Sequence, residues 1–342
     1  MSRVCLVHMG GTIAMEHSSK GYVPAQGYIE TYLGSMAELS TPVLPPWDFV
    51  RLDPIKDSAD FTPRDWVRLA EAIETRAADY DGFVVLHGTD TMAYTASALS
   101  YLLSGVHKPI VLTGAQLPLS DIRSDGRQHL ITSLILAGRY RIPEGCIYFG
   151  DRLYRGNRAQ KVHNQSFVAF ASGNYPALAS IGVTIDVRHD LLLEPRPSPI
   201  AVQRLTRHPQ VATVQVHPGM SSEILVKLLE PPVEGMVLQT YGAGTFPTSD
   251  KTLLRAIEAA VERDVVVVNC SQCHAGRVVQ DLYGTGAALR DVGVISGHDM
   301  TQEAVLTKLY CLLASGHSAA ETRTRIEEDL AGELTRTTEG PR

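Results

Sequence analysis

The sequence predicts an α/β protein with a large N-terminal parallel-sheet domain and a smaller C-terminal α/β domain. Short apolar runs rich in β-branched residues alternate with longer stretches of helical periodicity. This alternation is typical of parallel strands covered by helices. The length of 342 residues and the hydrophobic content of 44% suit about two domains, each with its own core.

A segment rich in Pro, Arg and Leu interrupts the alternation, around Glu194-Pro195-Arg196-Pro197-Ser198-Pro199. Such composition is typical of a connector. We therefore predict an N-terminal domain over residues 1–187, a linker over 188–210 and a C-terminal domain over 211–342.

In the N-terminal domain, the apolar runs 4–9, 82–87, 110–112 and 146–150 are predicted strands. Thr62 and Pro63 predict the start of a helix that continues to about residue 78, because Thr is a favoured N-cap and Pro at the first helical position loses no hydrogen bond. Apolar residues at helical spacing predict a second helix over 92–104 that packs on the sheet; they are Ala93, Ala96, Leu99, Leu102 and Leu103.

In the C-terminal domain, the same alternation predicts strands over 211–216, 235–238 and 265–268. Helices are predicted over 221–229, 251–263 and 302–315. The last ten residues, 333–342, are polar, and we expect them to be frayed.

Charge and composition exclude several classes of partner. The net charge of −6 and the isoelectric point near 6.1 provide no basic field for nucleic acid. The apolar stretch at the N-terminus ends at His8 and the following glycines, too early for a signal peptide. Apolar runs stay well below the roughly 18 residues of a membrane span. We predict a cytoplasmic protein that binds neither nucleic acid nor membrane.

The five cysteines are an odd, scattered set, which favours reduced thiols in a cytosol. Residues 270–274, Cys-Ser-Gln-Cys-His, match the short pattern for haem attachment. Cys270 closes an apolar run, however, so we interpret Cys270 and Cys273 as core cysteines at a strand end. A zinc site would need a second ligand pair, and none is evident. We predict no metal and no cofactor.

Three of the predicted strands end in small and hydroxyl-bearing residues, at 10–12 (Gly-Gly-Thr), 88–91 (Gly-Thr-Asp-Thr) and 113–116 (Thr-Gly-Ala-Gln). Ligands in open α/β sheets bind beyond the carboxyl ends of the strands. If these strands are parallel neighbours, two threonines, an aspartate and several N–H groups converge at one sheet edge.

Each of these ends also has a purely structural interpretation. Residues 10–12 fit a tight turn equally well, and they lack the spaced third glycine of a dinucleotide-binding fingerprint. Thr89 or Asp90 could be a simple helix N-cap, but a cap needs one such residue and this segment has three in succession. A carboxylate held among N–H groups stays ionised and can bind an ammonium.

Lys161 follows the strand 146–150 in a segment rich in polar residues. A lysine by itself is most often a solvated surface residue. A threonine hydroxyl is a weak nucleophile until a base accepts its proton, and Lys161 is the candidate for that base.

These residues resemble the motifs of bacterial-type L-asparaginases, and within them the intracellular type I group. The matches stand in family order and extend over nearly the whole chain; they are residues 10–15 (GGTIAM), 21–24 (GYVP), Asp57-Ser58, 87–94 (HGTDTMAY), 155–158 (RGNR) with Lys161, and Asp299-Met300-Thr301. The two motifs GGTI and HGTDT are highly specific together.

The resemblance implies hydrolysis of L-asparagine to L-aspartate and ammonia through a threonine acyl-enzyme, in a homodimer or homotetramer. Thr12 matches the family's primary nucleophile. Tyr22 matches the residue that activates it and lies on a mobile loop spanning about residues 13–28. Thr89, Asp90 and Lys161 match a second triad, which transfers protons or directs the attack of water.

For substrate binding, the resemblance implies that Ser58 holds the α-carboxylate and that Asp90 holds the α-ammonium. The backbone around Ala115 lies near the carboxamide. N–H groups near Thr12 and Thr89, with Gly11 among the binding residues, could form an oxyanion hole, where one donor is worth about 3–4 kcal/mol.

Three positions depart from the family pattern. Ala59 stands where Gln or Ser often follows the matched serine, and Thr245 stands where asparagine is frequent. Gln239 occupies a place where some type I relatives carry arginine in a regulatory pocket, so we do not predict allosteric activation.

Other functions stay open at this point. Glutaminase or mixed amidase activity is one, because a single methylene is worth only about 1–3 kcal/mol of discrimination. A non-catalytic sensor of asparagine or aspartate is another, and a nucleotide-binding module is a weaker third. We do not expect a tRNA-dependent amidotransferase, because those relatives carry an added N-terminal domain and this chain starts at its first strand.

Overall fold

A computed structural model describes residues 2–19, 21–24, 27–195 and 198–335. The chain forms two compact units, Met1–Val202 and Gln203–Arg342. The strands are β1 (Val4–Gly10), β2 (Met15–Ser18), β3 (Gly21–Pro24), β4 (Trp47–Lys56), β5 (Gly82–Leu86), β6 (Leu103–Ser104), β7 (Ile110–Thr113), β8 (Gly145–Phe149), β9 (Arg152–Arg155), β10 (Gln160–Lys161), β11 (Phe170–Ala171), β12 (Ala179–Ile181), β13 (Ile185–Val187), β14 (Ala201–Val202), β15 (Gln210–Gln215), β16 (Val233–Thr240), β17 (Val266–Ser271) and β18 (Ile295–Ser296).

The α-helices are α1 (Tyr28–Ser35), α2 (Pro63–Arg76), α3 (Met92–Leu102), α4 (Gly126–Arg139), α5 (Ser222–Leu229), α6 (Lys251–Glu262), α7 (Gly284–Asp291), α8 (Gln302–Ala314) and α9 (Ala319–Ile326). Short 3-10 helices occupy Thr12–Ala14, Ala37–Ser40, Ser58–Asp60, Gly156–Arg158 and His189–Leu191.

The first unit contains an eight-stranded sheet in the order β13-β12-β9-β8-β7-β5-β1-β4. The strands β8, β7, β5, β1 and β4 are parallel. β5 lies between β1 and β7, so the three strands whose ends carry the small and hydroxyl-bearing residues are direct neighbours. The predicted convergence of these ends at one sheet edge is confirmed.

Both faces of this parallel region are buried, which explains why β1, β5 and β7 are apolar without alternation. One face packs beneath α1 and α4, where Leu6, Val84 and Val111 join the apolar residues of those helices. α3 packs on β7 and β8, and α2 packs on α3.

The sheet of the N-terminal domain is mostly parallel, as predicted, but the prediction is wrong for β9, β12 and β13, which pair antiparallel. Only Gly150 and Asp151 separate β8 from β9. Two residues can make a hairpin turn but not the crossover that a parallel pair requires. Gly150 accommodates this turn with a φ of +63°.

Helix α2 begins as predicted at Pro63, after the N-cap Thr62. The Asp65 carboxylate accepts hydrogen bonds from the backbone N–H and the hydroxyl of Thr62, at 2.8 and 3.0 Å. Helix α3 ends at Leu102, two residues before the predicted end, because Leu103–Ser104 pairs with β14. Ala201–Val202, which the sequence places in a linker, is thereby part of a paired strand of the first unit.

The second unit contains a four-stranded parallel sheet in the order β15-β16-β17-β18. Helices α5, α6 and α7 contribute to the apolar cluster on one face. Helices α8 and α9 contribute to the cluster on the other face. The α/β class predicted for both parts of the chain is confirmed.

Two predictions in the second unit need correction. Cys270 is buried in β17 as predicted, but Cys273 is exposed, because the chain leaves the sheet after Ser271. Residues 333–335 are not frayed: Glu333 is fully buried and forms an ion pair with Lys308 at 2.5 Å. The rest of the predicted frayed segment, 336–342, lies outside the described residues.

Candidate active site

Two glycines let the ends of β1 and β5 and the segment after β4 pack in direct contact. Gly11 has a φ of +96°, and a Cβ at this position would lie 2.3 Å from the backbone N of Gly88. A Cβ at Gly88 would in turn lie 2.4 Å from Oγ of Ser58. Real Cβ atoms do not come this close to other atoms, so glycine is required at both positions. The small residues of the sequence motifs therefore hold three chain segments together.

Thr89, Asp90 and Lys161 form the best-defined constellation. Lys161 Nζ donates hydrogen bonds to Thr89 Oγ1 and to Asp90 Oδ1, each at 2.7 Å. The Lys161 side chain is 18% exposed and that of Asp90 is 65% exposed. Thr89 is buried. The ammonium thus lies between a buried hydroxyl and a carboxylate that solutes can reach.

Lys161 reaches Thr89 by a route that its position after β8 does not reveal. β9 runs antiparallel to β8 and so returns along the sheet. Gly156 follows β9 and lies in close contact with α3, since a Cβ on Gly156 would lie 2.9 Å from the Cβ of Ala96. The chain next forms β10, which pairs antiparallel with β11 and ends at Lys161.

Thr12 begins the 3-10 turn that follows β1, and its side chain is half-buried. Contacts of the residues before and after Thr12 fix the position of this turn. Gly11 packs against Gly88, and the Ile13 carbonyl accepts a hydrogen bond from the Leu119 N–H at 3.2 Å. Thr12 therefore lies at the same sheet edge as Gly88 and Thr89.

Tyr22 lies in the β2–β3 hairpin, opposite His17. The two rings pack edge to face with centroids 5.7 Å apart, and Tyr22 is 43% exposed. β3 lies beside the turn Thr12–Ala14, but no hydrogen bond joins Tyr22 to Thr12 in the part of the chain that the structure describes. Of the predicted loop 13–28, residues 20, 25 and 26 lie outside the described residues.

Ser58 and Ala115 are both buried. Ser58 follows Asp57, which caps the short helix by accepting the Ala59 N–H at 3.0 Å. The Ser58 carbonyl accepts the hydroxyl proton of Thr91 at 2.8 Å, which fixes it to the start of α3. Ala115 follows β7 and packs on α4, where a Cβ at Gly126 would lie 3.0 Å from the Ala115 Cβ.

Gln116 and Asp125 are site residues for which the sequence predicted no role. Thr89 Oγ1 donates to Gln116 Oε1 at 3.4 Å, and Gln116 Nε2 donates to the Ser166 carbonyl at 3.1 Å. The Asp125 carboxylate accepts the backbone N–H groups of Gln116 and Leu117, at 3.0 and 3.1 Å. Asp125 occupies the N-cap position of α4 without a cap hydrogen bond from its side chain, so an N-cap signal in the sequence could have located Asp125 but not its bonds to Gln116 and Leu117.

His87 holds the β5 end from inside the fold. Its Nδ1 lies 2.7 Å from the Gly88 carbonyl oxygen and its Nε2 lies 2.8 Å from Thr95 Oγ1. Complete burial lowers the pKa of His87 to about 4, although the hydrogen bond to Gly88 opposes this shift. His87 is therefore neutral at pH 7, and its Nδ1–H donates to the carbonyl that precedes Thr89.

An open cleft of about 420 Å³ lies beside the constellation and is lined by Asp90, Lys161, Val162, His163 and Asn164. This size is within the usual range for small-molecule sites. Among the described residues, no cluster of three or more His, Cys, Asp and Glu side chains could hold a metal ion. None of the helices in the described ranges is long and apolar enough to cross a bilayer.

Comparison with known proteins gives two family matches that together span most of the chain. Residues 3–193 match the model described as Asparaginase, N-terminal, and residues 210–325 match the Glutaminase/Asparaginase C-terminal domain.

Individual relatives agree with these matches. The chain is 42% identical to L-asparaginase 1 of Escherichia coli K12, over 97% of this chain and 98% of that protein. It is 38% identical to the mouse 60 kDa lysophospholipase, over 97% of this chain but 62% of that protein.

A solved structure, L-asparaginase I from Vibrio cholerae, superposes on this chain with a TM-score of 0.90 at 42% sequence identity. The match covers 98% of this chain and 99% of the Vibrio cholerae chain. The resemblance noted in the sequence is confirmed, and the chain belongs to the asparaginase family.

Proposed function

We propose that the protein hydrolyses L-asparagine to L-aspartate and ammonia. The observation that carries this proposal is the position of Lys161 Nζ, 2.7 Å from both Thr89 Oγ1 and Asp90 Oδ1. A buried hydroxyl beside a lysine is the arrangement that hydroxyl nucleophiles and proton relays require. The E. coli and V. cholerae relatives, named L-asparaginase 1 and L-asparaginase I, support the substrate.

The substrate is a small zwitterion with a carboxamide, and the site offers a group for each part. Asp90 is exposed to the cleft and would bind the α-ammonium. Ser58 would bind the α-carboxylate, and the carboxamide would lie near the backbone of Ala115. Backbone N–H groups of Gly11 and Thr89 would stabilise the negative charge on the amide oxygen.

The reaction would proceed through a covalent intermediate. Thr12 Oγ1 attacks the carboxamide carbon while its proton passes to the Tyr22 hydroxyl, which gives its own phenolic proton to the amide nitrogen. The carbon–nitrogen bond then breaks, and ammonia leaves. Thr89 with Lys161 then directs a water molecule at the acyl-threonine ester, and aspartate leaves as Thr12 regains its proton. No hydrogen bond joins Tyr22 to Thr12 among the described residues, so the proton transfer between them would require the two hydroxyls to come within hydrogen-bond distance.

Ammonia release from L-asparagine by the wild-type protein tests the activity itself. Thr12→Ala should reduce the rate at least about a hundredfold, the scale of a lost nucleophile. Thr75→Ala, an exposed threonine of α2, is the matched control and should leave the rate unchanged. An unchanged rate in Thr12→Ala would remove Thr12 from its proposed role.

The covalent step has a separate test. In Thr89→Val and Lys161→Met the deacylation step should slow, so that rapid quenching with asparagine and mass spectrometry should detect an acyl adduct on Thr12. Absence of the adduct, with asparagine still consumed by both variants, would contradict the acyl-enzyme.

Steady-state kinetics on two amides and calorimetry distinguish the other candidate functions. A kcat/KM on glutamine equal to or above that on asparagine would establish glutaminase or mixed amidase activity. Calorimetric binding of asparagine without ammonia formation would establish a sensor. The cytoplasmic location and the assembly into a homodimer or homotetramer stay predictions of the sequence.

A further inference from the structure

The segment after β7 is held in place by helix α4. Asp125, at the N-terminus of this helix, accepts the N–H groups of Gln116 and Leu117. His129, one turn further on, lies with Nδ1 2.8 Å from the Gly114 carbonyl oxygen. The side chain of Gln116 in turn contacts Thr89. The position of Ala115 and Gln116 relative to Thr89 therefore depends on Asp125 and His129.

The hydrogen bonds of His129 define its tautomer. The Gly150 N–H donates to Nε2 at 2.9 Å, and a ring nitrogen can accept only if it carries no proton. Nδ1 therefore carries the proton and donates it to the Gly114 carbonyl. One neutral imidazole joins Gly114, at the end of β7, to Gly150, at the end of β8.

The surroundings of His129 keep the ring neutral. It is 2% exposed and packs against the rings of Tyr148 and Phe149, with centroids 5.6 and 4.4 Å away. Burial lowers the pKa of His129, whereas the Gly114 carbonyl and the Asp125 carboxylate, 3.6 Å from Nδ1, oppose this shift. Among the described residues, the titratable groups that face the ring are the Asp125 carboxyl and the Tyr148 phenol.

We propose that His129 is a positioning residue, whose neutral imidazole fixes the segment from Gly114 to Gln116 beside Thr89 by joining the ends of β7 and β8. This inference rests on the proposed function, because the Ala115 backbone is the part of the segment that would lie at the carboxamide. Uptake of a second proton would place an Nε2–H against the Gly150 N–H. Two donors cannot share a hydrogen bond, so the link between the two strand ends would break.

Three substitutions test separately the hydrogen bonds of His129 to the Gly114 carbonyl and from the Gly150 N–H. In His129→Asn the amide can still donate to Gly114 but is too short to reach Gly150. In His129→Gln the longer amide can still accept from Gly150. His129→Leu retains neither bond.

We expect kcat on asparagine to fall about tenfold or more in His129→Leu, because small displacements of a positioned group cost this much, with a smaller change in KM. His129→Asn should recover most of kcat, since Gly114 is adjacent to Ala115. In the wild type, protonation of His129 should contribute to the decrease of kcat below pH 6.5, which we call the acid limb. In both amide variants this contribution should be absent. If His129→Leu does not fold, the two amide variants still decide the question.

Ser133→Ala is the matched control. Ser133 lies one turn further along α4 and is fully buried, and its hydroxyl has no hydrogen-bond partner among the described residues. It should leave kcat and the acid limb unchanged. A wild-type kcat and acid limb in His129→Leu, or in both amide variants, would overturn the proposal.

A readout that does not need activity separates this proposal from the proposed function. Long-range ¹H–¹⁵N correlation spectra of the His129 ring should show the proton on Nδ1 at pH 7, and backbone amide shifts of Gln116 and Thr89 should move in His129→Leu. A proton on Nε2, or unchanged Gln116 and Thr89 shifts, would refute the positioning role. If wild-type protein releases no ammonia, the proposed function fails while these spectra still test His129.

Discussion

Gly11→Ala tests whether the contact between the β1 and β5 ends holds the candidate site together. Gly11 has a φ of +96°, and an added Cβ would lie 2.3 Å from Gly88 N and 2.5 Å from Gly88 Cα. With a ψ of 167°, this backbone conformation lies in a region that is essentially restricted to glycine and costs an L side chain about 1–3 kcal/mol. The overlap adds about 1–3 kcal/mol, because backbone atoms rather than a flexible side chain must move. The expected loss in the free energy of unfolding is therefore about 2–6 kcal/mol.

Gly21→Ala is the matched control for this prediction. Gly21 has a φ of +97°, almost the same as that of Gly11, but nothing in the described part of the chain lies within 4 Å of the added Cβ. It should cost only the conformational part, about 1–3 kcal/mol. Gly34→Ala, in helix α1 with open space around it, should stabilise the protein by about 0.5–1 kcal/mol.

Urea unfolding followed by tryptophan fluorescence measures the difference. Both tryptophans, Trp47 and Trp66, lie in the first unit, so the signal reports on the part of the chain that contains Gly11. The midpoints should follow the order Gly34→Ala, wild type, Gly21→Ala, Gly11→Ala, with a constant m value. Equal midpoints for Gly11→Ala and Gly21→Ala would refute the reasoning, because the contact with Gly88 would then contribute nothing.

Two further predictions concern buried ionisable groups. Because burial lowers the pKa of His87 from 6.5 to about 4, the unfolded chain binds more protons than the folded chain below pH 6.5, and stability falls as the pH drops from 6.5 towards 4. This loss is about 3 kcal/mol for His87, so His87→Gln should lose less stability than wild type between pH 7 and pH 4 in urea unfolding; parallel losses would contradict the assignment. Glu333→Gln should destabilise the second unit by about 3–5 kcal/mol, because the ammonium of Lys308 stays buried without its carboxylate. The double variant Lys308→Met with Glu333→Gln removes the unpaired ammonium and keeps an amide oxygen that can accept a backbone N–H from Leu330 or Ala331, as the carboxylate does. It should recover much of this loss in thermal unfolding followed by circular dichroism, and a double variant as unstable as Glu333→Gln would show that the unpaired ammonium is not the cause.

The local elements of the fold were predictable because their signals lie in short stretches of sequence. Thr62 and Pro63 mark the start of α2, and the apolar runs before Gly10, Gly88 and Gly114 are the strands β1, β5 and β7. β4 and α4 were missed. β4 carries charged residues along much of its length and lies at the sheet edge, so it has little of the apolar pattern by which buried strands are predicted.

The sequence by itself determined the strand ends, their small and hydroxyl-bearing residues, and the family to which they belong. Only the tertiary structure decided that Lys161 lies 2.7 Å from Thr89, a residue 72 positions earlier in the chain. The antiparallel turn at Gly150 and the burial of Glu333 likewise depend on contacts with distant segments. The physical reason is that periodicity and capping reflect local backbone preferences, whereas hydrogen bonds between distant residues depend on the packing of whole elements.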